Sequence, residues 1–232
     1  MISKPALSIF RAPVDNDGYK LMPELGERHG IGGTCLRAWQ QTGIDVGAAD
    51  DFVGHDHQVE LADGTETHHH VIDVPDALND LGRVGVTFEL SRGFDSVRWF
   101  GRGQLENYPD RNRGAMIGTW EDEVDEAPYL VPQEFGLRTD CRWFEFVNSS
   151  TGETVRLDVL YPTSMHVSAT RFTPAELYAA GHETDLRPRK TLVVHADVAH
   201  RGLGTASCGP DIMDRYRIPV GQHRFSYRLS AI

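Results

Sequence analysis

The chain has 232 residues, 40% of them hydrophobic, and its 34 acidic against 23 basic side chains give a formal charge of −11. A field of that sign repels polyanions, so nucleic acid is excluded as a partner, whereas a neutral ligand such as a sugar is indifferent to it. No apolar run reaches the roughly 18 residues that span a bilayer, and Met1-Ile2-Ser3-Lys4-Pro5 supplies no apolar core for a secretory signal.

Residues 5–18 predict a short apolar strand followed by the turn-rich Asp15-Asn16-Asp17-Gly18. An irregular helix is expected over 22–39, broken up by Gly26, Gly30, Gly32 and Gly33. Asp56–Leu61, the turn Ala62-Asp63-Gly64 and Glu66–Val74 read as a hairpin. Val84, Val86, Phe88 and Leu90 alternate as in a half-buried strand, and after Gly93-Phe94-Asp95 a partner strand runs over 96–101. The acidic stretch 114–129 reads as a surface loop. Further strands are expected at 137–148, 154–161, 166–171, 190–198 and 223–230. Thr173-Pro174-Ala175-Glu176 is a capping box with proline at the first helical position, which predicts a short helix ending near Gly181. About ten strands and one clear short helix describe an all-β fold, a large antiparallel sandwich filling residues 1–232 as one domain.

Cys35, Cys141 and Cys208 are odd in number, far apart and without metal-type spacing, which fits a reducing cytoplasm better than a disulfide framework. His68-His69-His70 and the pair His55 and His57 could bind a metal, but alternation puts His69 opposite its neighbours, and a solvated strand with no metal site is the simpler expectation.

Two dense segments carry the candidate chemistry. In Gly101–Arg111, Arg102 and Arg111 can pair with Glu106 and Asp110, while Asn107 can hold the loop backbone. The competing reading makes Glu106 and Asp110 an acid–base pair for glycoside cleavage, against which a neighbouring arginine would lower a carboxyl pKa. In the second segment, Glu134 beside Arg138 and Arg142 reads as an ion-pair network at a strand entry, or as a sugar-binding group with Trp143 for stacking.

Together these segments resemble the small-chain, carboxy-terminal domain of family-two β-galactosidases. The resemblance rests on Arg11-Ala12-Pro13-Val14-Asp15-Asn16-Asp17, on Gly101-x-Gly103-x-x-Glu106-Asn107-Tyr108-x-Asp110-Arg111, on Tyr129-x-x-Pro132-x-Glu134-x-Gly136-x-Arg138, and on a closing loop through Gly202–Gly204 and Ser207–Pro210 into a last strand, all in the family's order. It implies a galactose mutarotase-like supersandwich whose first strands precede the Arg-Ala-Pro element. It also implies that the catalytic carboxylates belong to a separate barrel domain or large subunit, with Mg and Na used in other domains and no cofactor here. The expected substrate is a terminal β-D-galactoside such as lactose, and a homo-oligomer is allowed. By the same resemblance the closing loop forms one rim of the active site, with Cys208, beside Ser207, where the family usually carries an aromatic. The alternative is a free-standing sandwich: a sugar-binding module using Trp99, Trp120 or Trp143, or a mutarotase-like enzyme pairing His182 or His195 with Glu134.

Overall fold

The computed structural model describes residues 1–18, 20, 34–124, 127–205 and 209–232. Their strands are β1 (Ala6–Ser8), β2 (Gly54–Ala62), β3 (Thr65–Val74), β4 (Arg83–Leu90), β5 (Ser96–Gly103), β6 (Met116–Glu123), β7 (Arg138–Cys141), β8 (Trp143–Val147), β9 (Thr154–Tyr161), β10 (Met165–Thr170), β11 (Leu192–His200) and β12 (Gly221–Ala231). They form a five-stranded sheet, β1-β4-β11-β10-β7, and a seven-stranded sheet, β2-β3-β12-β9-β8-β5-β6. Every strand pair is antiparallel.

The period-two pattern explains the packing. Val84, Val86, Phe88 and Leu90 of β4 point inward and are at most 2% exposed. Across the interior they meet Phe144, Phe146, Leu157, Tyr227 and Leu229 of the larger sheet in one apolar cluster. Phe88 bridges the layers, edge-on to Phe146 with centroids 6.4 Å apart and parallel to Tyr227 at 6.5 Å. Burying aromatic faces of this size is the main gain that closes a sandwich.

Two expectations change. The 114–129 stretch is not wholly loop, because Met116–Glu123 forms β6 on the edge of the larger sheet, paired with β5. Gly118, Trp120 and Asp122 turn half-inward while Glu121 and Glu123 face water, and charged side chains on an exposed edge discourage pairing with another chain. The single strand expected over 137–148 is two: β7 pairs with β10 in one sheet and β8 with β5 and β9 in the other. Asp140, at a left-handed φ of 55°, and Arg142, whose N–H reaches Phe100 O at 2.8 Å, make this corner. Strands that switch sheets commonly bend at such a point.

Two short helices cover the loop regions. Helix α1 (Cys35–Thr42) buries Cys35, Leu36 and Trp39, starts at Thr34, whose hydroxyl accepts Arg37 N–H, and stops at Gly43 with φ 73°. It occupies the end of the helical stretch expected over 22–39; residues 22–33 lie outside the described residues. Helix α2 (Pro174–Ala179) follows the capping box as read, with the Thr173 and Glu176 side chains each bonded to the other's backbone N–H. Among the described residues no helix is long and apolar enough to cross a membrane.

Phe146→Ala is expected to cost about 3–5 kcal/mol of unfolding free energy in urea titrations. Thr119→Ala, on the exposed face of β6, should change it by no more than about 0.5 kcal/mol.

Candidate functional site at the loop end of the sandwich

Three arginines without surface exposure organise one end of the sandwich: Arg11, Arg83 and Arg201. Arg11 forks onto Asp17 at 2.6 and 2.9 Å. Asp17 also accepts Val14 N–H at 2.8 Å and the Cys35 thiol at 3.1 Å. Arg83 donates to Glu134 Oε1 at 2.7 Å, and Glu134 Oε2 takes Ala12 N–H at 3.0 Å. Arg201 bonds Asp80 at 2.7 Å and both oxygens of Asp211 at 2.9 Å, and Arg217 joins the same two carboxylates at 2.8 Å. Buried cations are tolerated only when carboxylates meet them in this way, although Arg11 Nε and Arg83 Nε and Nη1 have no hydrogen-bond partner.

Around this hub the loops leave a cleft of about 440 Å³, lined in part by Asn16, Glu106, Tyr108, Arg111, Tyr129 and Glu134. Glu106 does accept hydrogen bonds, but from the Tyr129 hydroxyl and from Gly136 N–H at 2.7 Å. Asp110 takes Leu203 N–H at 3.0 Å and Gly204 N–H at 2.8 Å. Arg111 and the Asn16 amide both donate to Gly204 O, at 2.5 and 2.7 Å. Gly202 is required here, because a Cβ would sit 2.7 Å from Asp110 Cγ. Asn107, 2% exposed, holds Thr139 through its carbonyl and donates to Leu105 O at 3.0 Å.

The structure thus supports a network but corrects its partners. Arg102 pairs with Asp140 at 2.5 Å and caps Ala115 O at 2.9 Å; neither Arg102 nor Arg111 forms an ion pair with Glu106 or Asp110 among the described residues. Glu134 pairs with Arg83 rather than Arg138 or Arg142. Arg138, 4% exposed, bonds Asp122 at 3.2 Å and lies over the Trp99 ring at 4.9 Å. Strand residues reached across the fold, not sequence neighbours, meet these charges. Ser207 and Cys208 lie outside the described residues.

Other candidate groups are placed differently. Trp99 has no exposed surface and donates to Arg102 O at 2.9 Å, so it belongs to the core; Trp143 is half-buried on the outer face of β8, covered by the Arg156 guanidinium at 4.4 Å. His195 is bonded to Ser8 Oγ at 3.0 Å and His182 is exposed; neither is hydrogen-bonded to Glu134. His68 and His70 are not on a solvated strand: they are 2% and 1% exposed, because the face shared by residues 68 and 70 is the interior one.

A family model described as beta galactosidase small chain matches residues 1–229. The chain belongs to the β-galactosidase small-chain family. It is 27% identical over 249 residues to a β-galactosidase of Arthrobacter sp. (strain B7), a match covering 91% of this chain and 24% of that protein. A β-galactosidase of Actinobacillus pleuropneumoniae is 26% identical over 96% of this chain and 23% of its own length. One from Vibrio cholerae is 36% identical over 55% of this chain and 12% of its own. The chain therefore spans at most about a quarter of the length of these curated relatives.

Sequence reasoning missed Arg83, Arg201, Asp80 and Asp197. In sequence Arg83 opens an ordinary apolar strand, and nothing separates it from a solvated arginine. Asp197 is wholly buried, 3.2 Å from Arg83 Nε, and neither of its oxygens has a hydrogen-bond partner. Burial pushes its carboxyl up to about 7, with Arg83 pulling the other way. The folded carboxyl keeps its proton up to that pH while an unfolded aspartate releases it near 3.8, so stability falls as pH rises through this window. Asp197→Asn cannot ionise. Relative to wild type its unfolding free energy should rise by on the order of 4 kcal/mol between about pH 4 and about pH 8, measured by urea unfolding at each pH. A difference that stays flat with pH would contradict a carboxyl held neutral by burial.

Proposed function

We propose that this chain is the carboxy-terminal domain of a β-galactosidase that hydrolyses terminal β-D-galactosides such as lactose, and that it supplies one rim loop of the active site without the catalytic carboxylates. The observation that carries this reading is the clamp on the closing loop. Asp110 binds the backbone of residues 203 and 204, and Arg111 and Asn16 bind Gly204 O, immediately before Ser207 and Cys208. These bonds fix the backbone of residues 203 and 204.

The carboxylates themselves support the same conclusion. Both oxygens of Glu106, Asp110 and Glu134 accept hydrogen bonds from within the protein. Retaining glycoside cleavage needs two carboxyl groups about 5–5.5 Å apart and open to the scissile bond. Here the pair comes from a barrel domain or large subunit of the same enzyme, which also carries the Mg and Na of the family; this chain holds no cofactor for that reaction. Cys208 takes the rim position usually filled by an aromatic, so stacking on the sugar is weaker there. The buried free thiols of Cys35 and Cys141 support a reducing, cytoplasmic setting.

The purified chain is expected to release no nitrophenol from a nitrophenyl β-galactoside, and activity should appear only when a barrel-bearing chain is supplied. Turnover by the chain alone that vanishes in Glu106→Gln would overturn the proposal. Saturable millimolar binding of galactose by the isolated chain in calorimetry would favour a sugar-binding module instead.

A further inference from the structure

The hairpin β2–β3 carries four histidines on one face. Register pairs His57 directly with His70, Val59 with His68, and His55 with Ile72, so period two turns His55, His57, His68 and His70 the same way. That face is interior, and the next strand, β12, sets Phe225 opposite His70 and Tyr227 opposite His68. The rings stack: His57 on His70 at 4.2 Å, His70 on Phe225 at 4.7 Å, His68 on Tyr227 at 5.0 Å.

Edge to edge, the imidazoles face one another through nitrogen. His57 Nε2 lies 2.9 Å from His68 Nδ1, and His55 Nε2 lies 3.1 Å from His70 Nδ1. Each contact can hold one proton between two lone pairs, or a cation bound by both. On its far side His68 Nε2 is 3.2 Å from Glu66 Oε2, an arrangement that places the proton on Nε2 and leaves Nδ1 as a lone pair. A carboxylate behind an imidazole in this way orients metal-ligating histidines and raises their basicity. His70 Nε2 is buried without any hydrogen-bond partner, which ring stacking alone leaves unexplained.

We infer that His57, His68 and His70 form a binding site for a divalent late transition metal of the Zn²⁺ class, separate from the cleft at the loop end. One nitrogen from each of the three lies within 4.8 Å of the others. Tetrahedral zinc at about 2.0–2.1 Å from each nitrogen needs nitrogens roughly 3.3 Å apart, a value between the 2.9 Å of the closest pair and the 4.8 Å limit. The three rings lie parallel to within 17°, so binding has to turn them about χ2 until their lone pairs converge on the ion. Three imidazoles and no carboxylate in the inner set select Zn²⁺, Ni²⁺ or Cu²⁺ over Mg²⁺ or Ca²⁺. Imidazole is mostly neutral at pH 7, the form that ligates a metal. His57 and His68, though not His70, line a cleft of about 720 Å³ between the hairpin and residues 2–5, bordered by Lys4, Val59 and Glu66. Water and the ion enter there.

The test uses the whole 232-residue chain, stripped with a chelator. Calorimetry with ZnCl₂ should show one equivalent bound with a Kd of about 1 μM or tighter, and Co²⁺ should give the intense visible absorption of a four-coordinate site. His57→Ala, at the half-buried mouth, should weaken Zn²⁺ at least about tenfold, the expected loss of one ligand, whereas His182→Ala on the exposed surface should not. In the wild type, independent of any variant's folding, Zn²⁺ should shift the imidazole NMR signals of His57, His68 and His70. No saturable binding below about 1 mM, or shifts confined to exposed rings such as His69 and His182, overturns the inference.

Discussion

The ion pairs of Arg11, Arg83 and Arg201 are the constraint on which the loop end of this domain depends. A guanidinium moved out of water costs several kcal/mol unless carboxylates and carbonyls replace the lost solvation. Arg11 finds them in Asp17, Arg83 in Glu134, and Arg201 in Asp80 and Asp211. Arg83 reaches Glu134 across 51 positions and Arg201 reaches Asp80 across 121, so these two pairs tie separate segments together. Breaking one pair strands a buried charge, and the loop end is therefore cooperative rather than a set of independent turns.

That cooperativity gives the closing loop its position. Arg201 anchors the end of β11, Gly202 passes close against Asp110, and the Leu203 and Gly204 amides are fixed by the same carboxylate. On the other side Arg111 and Asn16 hold Gly204 O. The Asp-Asn-Asp element near the start and the Asp-Arg pair of the second motif thus meet at one backbone carbonyl. The charges in the conspicuous motifs hold one another's loops in place.

How much of this was legible in the sequence follows from range. Alternation located β4, and the Thr173 capping box located α2, because period and capping are local properties. The motifs of 101–111 and 129–138 announced a bonded network through their density of polar groups. Its wiring was hidden: Glu134 reaches Arg83 across 51 positions and Arg111 reaches residue 204 across 93, distances over which charge adjacency in sequence is uninformative. The same limit hid the histidine face. Alternation placed His68 and His70 together, but only the pairing of β3 with both β2 and β12 shows that their shared side is interior. In β6, acidic residues suggested a loop where they serve as the charged edge of a sheet.

If Asp110 holds the backbone of residues 203 and 204, amide hydrogen exchange across residues 202–205 changes in Asp110→Ala. The account predicts that exchange at Leu203 and Gly204 accelerates by on the order of tenfold or more, equivalent to losing about 1.4 kcal/mol of local protection, while amides of β4, β11 and β12 keep their wild-type rates. Unchanged exchange at Leu203 and Gly204 in a folded Asp110→Ala protein would contradict it.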